Sequence, residues 1–291
     1  MRLSYHLLNV FCRDGDPFSG NPLCVFESGA ALSDAQMQAI ARQFNLSETV
    51  FLVPSGQATA RARIFTPDFE MPFAGHPTLG SAYFLSRHWA SIAPGRQQEL
   101  SVATHAGVVP VVIEGHRATL TALPPSHRDP QFDAVVLAAA LGIEADDIIR
   151  QAGGTRPLWV NTGTEQLIVP LRTPEAVRRV RPTKAALGAL TATIGQHASA
   201  LVFAEASPGA VLARYLFESG AEMREDPATG SACANLGGWC LAIGRSLPHH
   251  VQVAQGEQIH RPSTLWLEVD ATRTIRVGGD VLYLGAGQLT L

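Results

Sequence analysis

The sequence predicts an α+β protein made of two similar, pseudo-symmetric halves, each a mostly antiparallel set of short strands around one central helix. Three observations lead there. Runs of β-type residues dominate the 291-residue chain and only a few helical stretches interrupt them. The segment His76-Pro-Thr-Leu-Gly-Ser-Ala82 returns in altered form as Asp226-Pro-Ala-Thr-Gly-Ser-Ala232. The helix expected at each copy is apolar most of the way round, which suits the inside of a sheet and not its surface.

The elements follow in order. The N-terminal "MRLSYHLLNVF" enters an alternating strand pattern at once and lacks the apolar core and cleavage site of a signal peptide. "LSDAQMQAIARQFN" reads as a helix with Ser33 as N-cap and Gln36 three residues on, a capping-box spacing. Met37, Ile40, Ala41 and Phe44 share one face of it. "SETVFLV" then reads as a strand ended by Pro54, and "ARARIFT" as a half-buried strand. A second helix is expected from Pro77, a residue suited to a first helical turn, through "TLGSAYFLSR". Strands are expected at 107–113 and 117–122. The polar, Pro-rich stretch Leu123–Gln131 marks the boundary between an N-terminal domain, 1–122, and a second domain, 123–275. The second half repeats the plan through "ARYLFESG" and "EDPATGSACANLGGWCLAIG", then closes with strands near 250–254, 264–269, 273–278 and 281–285.

Composition narrows the function. Charged residues make up 16% of the chain, against roughly 25% in an average globular protein, so burial between domains or in a dimer is expected. Net charge is −3, without a basic block, which argues against a nucleic-acid partner. No apolar run approaches the roughly 18 residues of a membrane span. Four cysteines (Cys12, Cys24, Cys233, Cys240) show neither CxxC spacing nor disulfide-scaffold density, which fits a reducing cytoplasm.

The repeated turn carries the first functional expectation. A helix start leaves backbone N–H groups unpaired and partly positive, so it attracts anions. Gly80-Ser81 and Gly230-Ser231 are small enough to let a ligand reach the backbone. Two such starts facing each other would hold a small carboxylate, with His76 and Asp226 on opposite sides of it. The plainer alternative makes Asp226 an N-cap and His76 a packed turn residue. Their recurrence at matching places of a duplicated motif favours the site. Glu48, among Leu46, Val50 and Phe51, is the third candidate, because desolvation there would raise its pKa towards neutrality. Periodicity alone would instead leave it on an edge strand, facing outward.

Several stretches together, "GNPLCVF", "NLSETVF", "RIFTPDFEMPFAGHPTLGSA", "EDPATGSA" and "QGEQIHRPSTLWLEV", resemble the PhzF-like family of phenazine-biosynthesis isomerases within the diaminopimelate epimerase-like fold. The resemblance implies two domains, each a strongly curved, barrel-like sheet around a central helix. It implies an active site in the cleft between them, a homodimer and no cofactor. It also implies that the last strands, 276–291, return to the first domain. Glu48 would move a proton between carbons of a cyclohexadiene-type carboxylate, a dihydro-hydroxyanthranilate-like acid. His76, Asp226 and Ser231 would bind and orient it; from the helix-start argument, backbone N–H groups near Gly75 and Gly230 are expected to bind its carboxylate.

One departure bears on the substrate. Where many relatives read F-x-P-x-x-G, this chain has "FESGAE", with Ser219 and Glu222 in the Pro and Gly places. Rival readings are a two-thiol racemase or epimerase of an amino-acid-like substrate, with Cys233 as one thiol, and a non-catalytic binder of small acids. Cys233 and Cys240 read more simply as helix-packing residues. Lys184, the only lysine, has no phosphate-cradling loop beside it, which argues against pyridoxal phosphate. The adjacent His249-His250 lack metal-ligand spacing.

Overall fold

Two strands, β1 (Arg2–Cys12) and β2 (Asn21–Phe26), lead to a helix whose start the sequence specifies in full. Ser33 accepts from the Gln36 N–H, and the Gln36 side chain accepts from the Ser33 N–H, so α1 (Asp34–Phe44) opens with the expected capping box. It ends at Asn45 in the left-handed conformation, φ 51°. There follow β3 (Glu48–Val53), β4 (Ala60–Phe65), the two-residue β5 (Glu70–Met71), α2 (Gly75–His88), β6 (Gln98–Thr104), β7 (Gly107–Glu114) and β8 (Arg117–Thr121). The computed structural model describes residues 1–88, 97–191, 198–220 and 222–291. It divides into two compact units, Met1–Leu123 with Arg276–Leu291, and Pro124–Ile275.

In the first unit the strand pairings close on themselves. The ring runs β1, β2, β3, β4, β6, β7, β8 and then the C-terminal strand, Ile275–Thr290, which pairs antiparallel with both β8 and β1. The β2–β3 and β4–β6 pairs are parallel and the others antiparallel. Helix α2 packs against ring strands on every side, and each residue from Gly75 to Ser86 is buried. Alternation sends Cys24, Phe26, Phe51 and Phe65 to the outer face, where Met37, Ile40 and Ala41 of α1 cover them. Expected strands near 273–278 and 281–285 are one continuous strand, because its two ends pair in turn with β8 and β1.

The second unit repeats this order. It contains β9 (Ser126–Arg128), α3 (Ala134–Leu141), β10 (Leu158–Asn161), β11 (Glu165–Pro170), α4 (Pro174–Arg179), α5 (Lys184–Thr191), β12 (Ser199–Ser207), β13 (Ala210–Ser219), β14 (Glu222–Asp226), α6 (Gly230–Ala242), β15 (His249–Gln255) and β16 (Ser263–Val269). The pairs β10–β11, β12–β13 and β15–β16 are antiparallel, and β11–β12 and β13–β15 are parallel. That is the succession found from β1 to β7. Helix α6 is buried from Gly230 to Leu241 and packs against β9, β10, β11 and β16. Helices α3, α4 and α5 cover the other face. Both units are therefore α+β, each a curved, mostly antiparallel sheet around one buried helix.

The repeat is real, but its register differs from the one expected. Pro227 does not lie in the first turn of α6; it precedes the helix, with Thr229 as the N-cap. The structural equivalents are Glu70-Met-Pro-Phe-Ala-Gly75-His76 and Glu225-Asp-Pro-Ala-Thr-Gly230-Ser231. Glu70 faces Phe65 of β4 and Glu225 faces Leu216 of β13, each strand ends one residue later, and each helix starts at the glycine. His76 thus matches Ser231, and Asp226 matches Met71.

Gly256 closes the turn that seats α6. It holds φ at 79°, and a Cβ there would sit 2.2 Å from the Arg261 carbonyl oxygen and 2.6 Å from that of Pro227. Gly209 has nearly the same φ, 74°, with nothing nearer than 3.9 Å. Gly209→Ala should therefore cost only the left-handed penalty, about 1–2 kcal/mol. Gly256→Ala should cost about 1–3 kcal/mol more through backbone crowding. Urea unfolding of both variants measures the difference.

Candidate active site

Glu48 opens β3, which lies between β2 and β4 and is not an edge strand. Alternation points Glu48 and Val50 to the helix side of the ring, opposite Phe51. Its side chain is 14% exposed, and its Oε2 lies 3.4 Å from Nε2 of His76. His76 is the second residue of α2 and is 2% exposed. Burial pushes its imidazole down to about 3, against a smaller opposing effect of a hydrogen bond to the Pro22 backbone. The ring is neutral at ordinary pH. Its Nδ1 lies 3.2 Å from Nδ2 of Asn21, so the first two residues of β2 orient it. Nε2 has no hydrogen-bond partner among the described residues, a state that costs about 1–3 kcal/mol unless a ligand satisfies it.

The second unit carries Asp226 and Ser231. Asp226 is the last residue of β14, opposite Tyr215, and is 8% exposed. Its Oδ2 accepts from the Thr229 hydroxyl at 2.6 Å. Gln255 ties the turn together, donating to the Asp226 carbonyl at 2.9 Å and to Thr229 Oγ1 at 3.0 Å. Ser231 is the second residue of α6, and its Oγ accepts from Gln166 Nε2 at 3.2 Å. Gly75 and Gly230 are the first residues of the two buried helices. Within each unit the predicted residues are thus brought to one helix start: Glu48, Gly75 and His76 in the first, Asp226, Gly230 and Ser231 in the second.

Each turn is set by an arginine–glutamate pair that sequence reasoning missed. Arg63 of β4 clamps Glu70 through two bonds, at 2.8 and 2.6 Å, and reaches Asp34 of α1 at 2.6 Å. Partial burial works to raise the Glu70 carboxyl, but bonds from Arg63 and His105 outweigh it and hold the group below its ordinary value. Arg214 of β13 holds Glu225 at 2.8 and 3.0 Å and also donates to the carbonyls of Val177 and Val180 at the end of α4. The matching "ARIF" and "ARYL" stretches were the available signal. Asn21, Gln166 and Gln255 were also missed, although Asn21 lay inside "GNPLCVF" and Gln255 opened "QGEQIHRPSTLWLEV".

The remaining candidates separate cleanly. Ser219 and Glu222 face each other at the tip of the β13–β14 hairpin, four residues before Asp226. Cys233 is 2% exposed and burial raises its thiol far above the ordinary range, while Cys240 is pushed up to about 12. In the structural register the counterpart of Cys233 is Thr78, so no second thiol stands in the matching place. Lys184 makes a surface pair with Glu218 at 2.6 Å. Among the described residues no three His, Cys, Asp or Glu side chains converge as a metal site, and no helix is long and apolar enough to cross a membrane.

Comparison with known proteins accords with this fold. The chain is 39% identical over 296 aligned positions to an uncharacterized isomerase of Pasteurella multocida, covering 98% of this chain and 93% of that one. It is 31% identical over 274 positions to trans-2,3-dihydro-3-hydroxyanthranilate isomerase of Pseudomonas aeruginosa, covering 91% and 90%. A phenazine biosynthesis protein of the PhzF family from Bacillus anthracis superposes with a TM-score of 0.83 over the full length of both chains, at 22% identity. The protein is an isomerase with an α+β fold. Within that class it belongs to the phenazine biosynthesis-like family, whose model matches residues 8–286.

The buried imidazole has a measurable consequence. Its folded value of about 3 lies below the ordinary 6.5, so the unfolded chain binds the proton first. The contribution to stability is present above pH 6.5 and is lost as pH falls from there towards 3. The His76 ring signals should not titrate between pH 8 and 4 by NMR. A His76→Asn variant should lose less stability than the parent on acidification from pH 6.5 to 4.

Proposed function

We propose that the protein moves a proton between two carbons of a small carboxylate-bearing substrate, without a cofactor, using Glu48 as base and then as acid. The observation that carries this reading is the buried contact between Glu48 and a histidine that burial keeps neutral. A protonated histidine would neutralise the carboxylate and weaken it as a base. A neutral one leaves the carboxylate its charge and offers a ring nitrogen for a polar group of the substrate.

His76, Asp226 and Ser231 bind and orient the substrate, and Gly75 and Gly230 let it approach the backbone at the two helix starts. A cyclic dihydro-hydroxyanthranilate-type acid is the first compound to try, because a 31%-identical relative is named for that substrate. The altered hairpin tip, Ser219 and Glu222, favours screening other unsaturated acids beside it. A cytoplasmic location is supported by four free, buried thiols.

Incubation with trans-2,3-dihydro-3-hydroxyanthranilate in deuterated water should place deuterium on a ring carbon of the product, read by mass spectrometry. Glu48→Gln keeps size and hydrogen bonding but cannot carry the proton. It should bind substrate with unchanged affinity while turnover falls roughly 10²–10⁴-fold. Turnover by the Gln variant at the parent rate would exclude Glu48 as the shuttle and make Asp226 the next residue to test.

A further inference from the structure

Gln166 of β11 is 2% exposed, and every polar atom of its amide is engaged. The direction of its bonds is set by a group that can only accept, the backbone carbonyl of Thr164. Asn235 of α6 donates to that carbonyl at 2.8 Å and places its other N–H on Gln166 Oε1 at 2.7 Å. The Thr162 hydroxyl donates to Asn235 Oδ1 at 2.7 Å, which fixes the same orientation from the other side. With its carbonyl committed, Gln166 turns its NH₂ to Tyr215 Oη at 3.0 Å and Ser231 Oγ at 3.2 Å. Ser231 Oγ therefore accepts within the protein, and its own hydrogen is left to donate outward.

The first unit shows that the fold does not require this chain of amides. In the structural register Gln166 corresponds to Leu23 and Asn235 to Gly80. There Leu23 fills the space beside the glycine, and a Cβ on Gly80 would lie 2.3 Å from Leu23 Cδ2. An apolar contact suffices at that place. A buried polar pair replaces it only in the unit whose helix carries a hydroxyl at the second position.

We propose that Gln166 is a positioning residue that holds the Ser231 hydroxyl as a hydrogen-bond donor and so commits this helix start to an acceptor oxygen of the substrate, its carboxylate. The proposal rests on the reading above that Ser231 binds substrate. It adds the polarity of that contact and the residue that imposes it. A substrate presenting only donors at this point would meet a hydroxyl already facing it with hydrogen.

Gln166→Glu tests the polarity at nearly constant shape. At neutral pH the introduced carboxylate can only accept, so Ser231 must turn its hydrogen inward. The probe is 2-aminobenzoate, with aniline as the ring without the carboxylate, titrated calorimetrically into the full chain. The parent should bind 2-aminobenzoate and not aniline, and Ser231→Ala should weaken binding about 5–30-fold. Gln166→Glu should weaken it at least as much at pH 7.5, and Ser231→Ala added to it should cost less than twofold more. At pH 5 the Glu variant should recover part of its affinity as the carboxyl regains a proton to donate, a recovery that Ser231→Ala alone does not show.

Gln166→Met, which keeps length without donors, serves if the Glu variant does not fold; it should likewise shrink the Ser231→Ala effect. Full affinity in the Gln166 variants, or an undiminished Ser231→Ala cost within them, overturns the inference and leaves the role of Ser231 standing. A parent protein that ignores 2-aminobenzoate, or in which Ser231→Ala has no effect, overturns both readings.

Discussion

The constraint on which each unit depends is a helix buried on every side. Such a helix cannot use its flanks for binding, because strands occupy them from Gly75 to Ser86 in α2 and from Gly230 to Leu241 in α6. Only its ends remain, and the start is the end with unpaired N–H groups and partial positive charge. Residues able to do chemistry must therefore collect at the first turn or on the inner ends of the neighbouring strands. Glu48, His76, Asp226 and Ser231 all do so. The start must also be held still, which a Glu-x-Pro turn does when its glutamate is pinned by an arginine on the adjoining strand. In the second unit that pair is almost fully enclosed, with side-chain exposures of 7% for Arg214 and 5% for Glu225. A buried ion pair contributes little net stability but is costly to break, which suits a device that fixes geometry.

Duplication supplied the scaffold twice, and the two copies then diverged at the positions that matter. Arg63 and Glu70 answer to Arg214 and Glu225, and Gly75 to Gly230. Around that shared frame His76 answers to Ser231, Met71 to Asp226, Leu23 to Gln166 and Gly80 to Asn235. The first unit keeps an apolar interior around a neutral histidine and a carboxylate. The second invests the same volume in amides and hydroxyls that set the direction of hydrogen bonds.

Much of this was legible in the sequence. The capping box at Ser33, the strand at Glu48 and the two all-buried helices follow from local chemistry that tertiary packing reinforced. The repeat itself was visible, but its register was not. Pro, Gly, Ser and Ala coincide between His76–Ala82 and Asp226–Ala232, and these small turn-forming residues are shared by many helix starts. The true equivalence rests on the strand partners of Glu70 and Glu225 and on the paired arginines, and partners across a sheet leave no trace in local spacing. Gln166, Gln255 and Asn235 were hidden for a related reason. An amide in a strand or helix looks like a surface residue until long-range contacts show that it is buried and fully bonded.

The divergence also bears on the kind of isomerisation the proposed shuttle can perform. Inverting a carbon centre requires one group to take the proton from one face and a second to return it on the other. The position matching Glu48, one residue before the strand partner of Leu216, is Ser199, whose hydroxyl is far too weak an acid to share that work near neutral pH. The thiol of Cys233 is buried and its pKa raised, and its counterpart is Thr78. If Glu48 alone is the shuttle, as proposed, the proton returns to the face it left, at a different carbon of a conjugated system. The proposed shuttle is thereby restricted to moving a double bond, work that one carboxylate can do when the substrate's acid group is held in a fixed orientation.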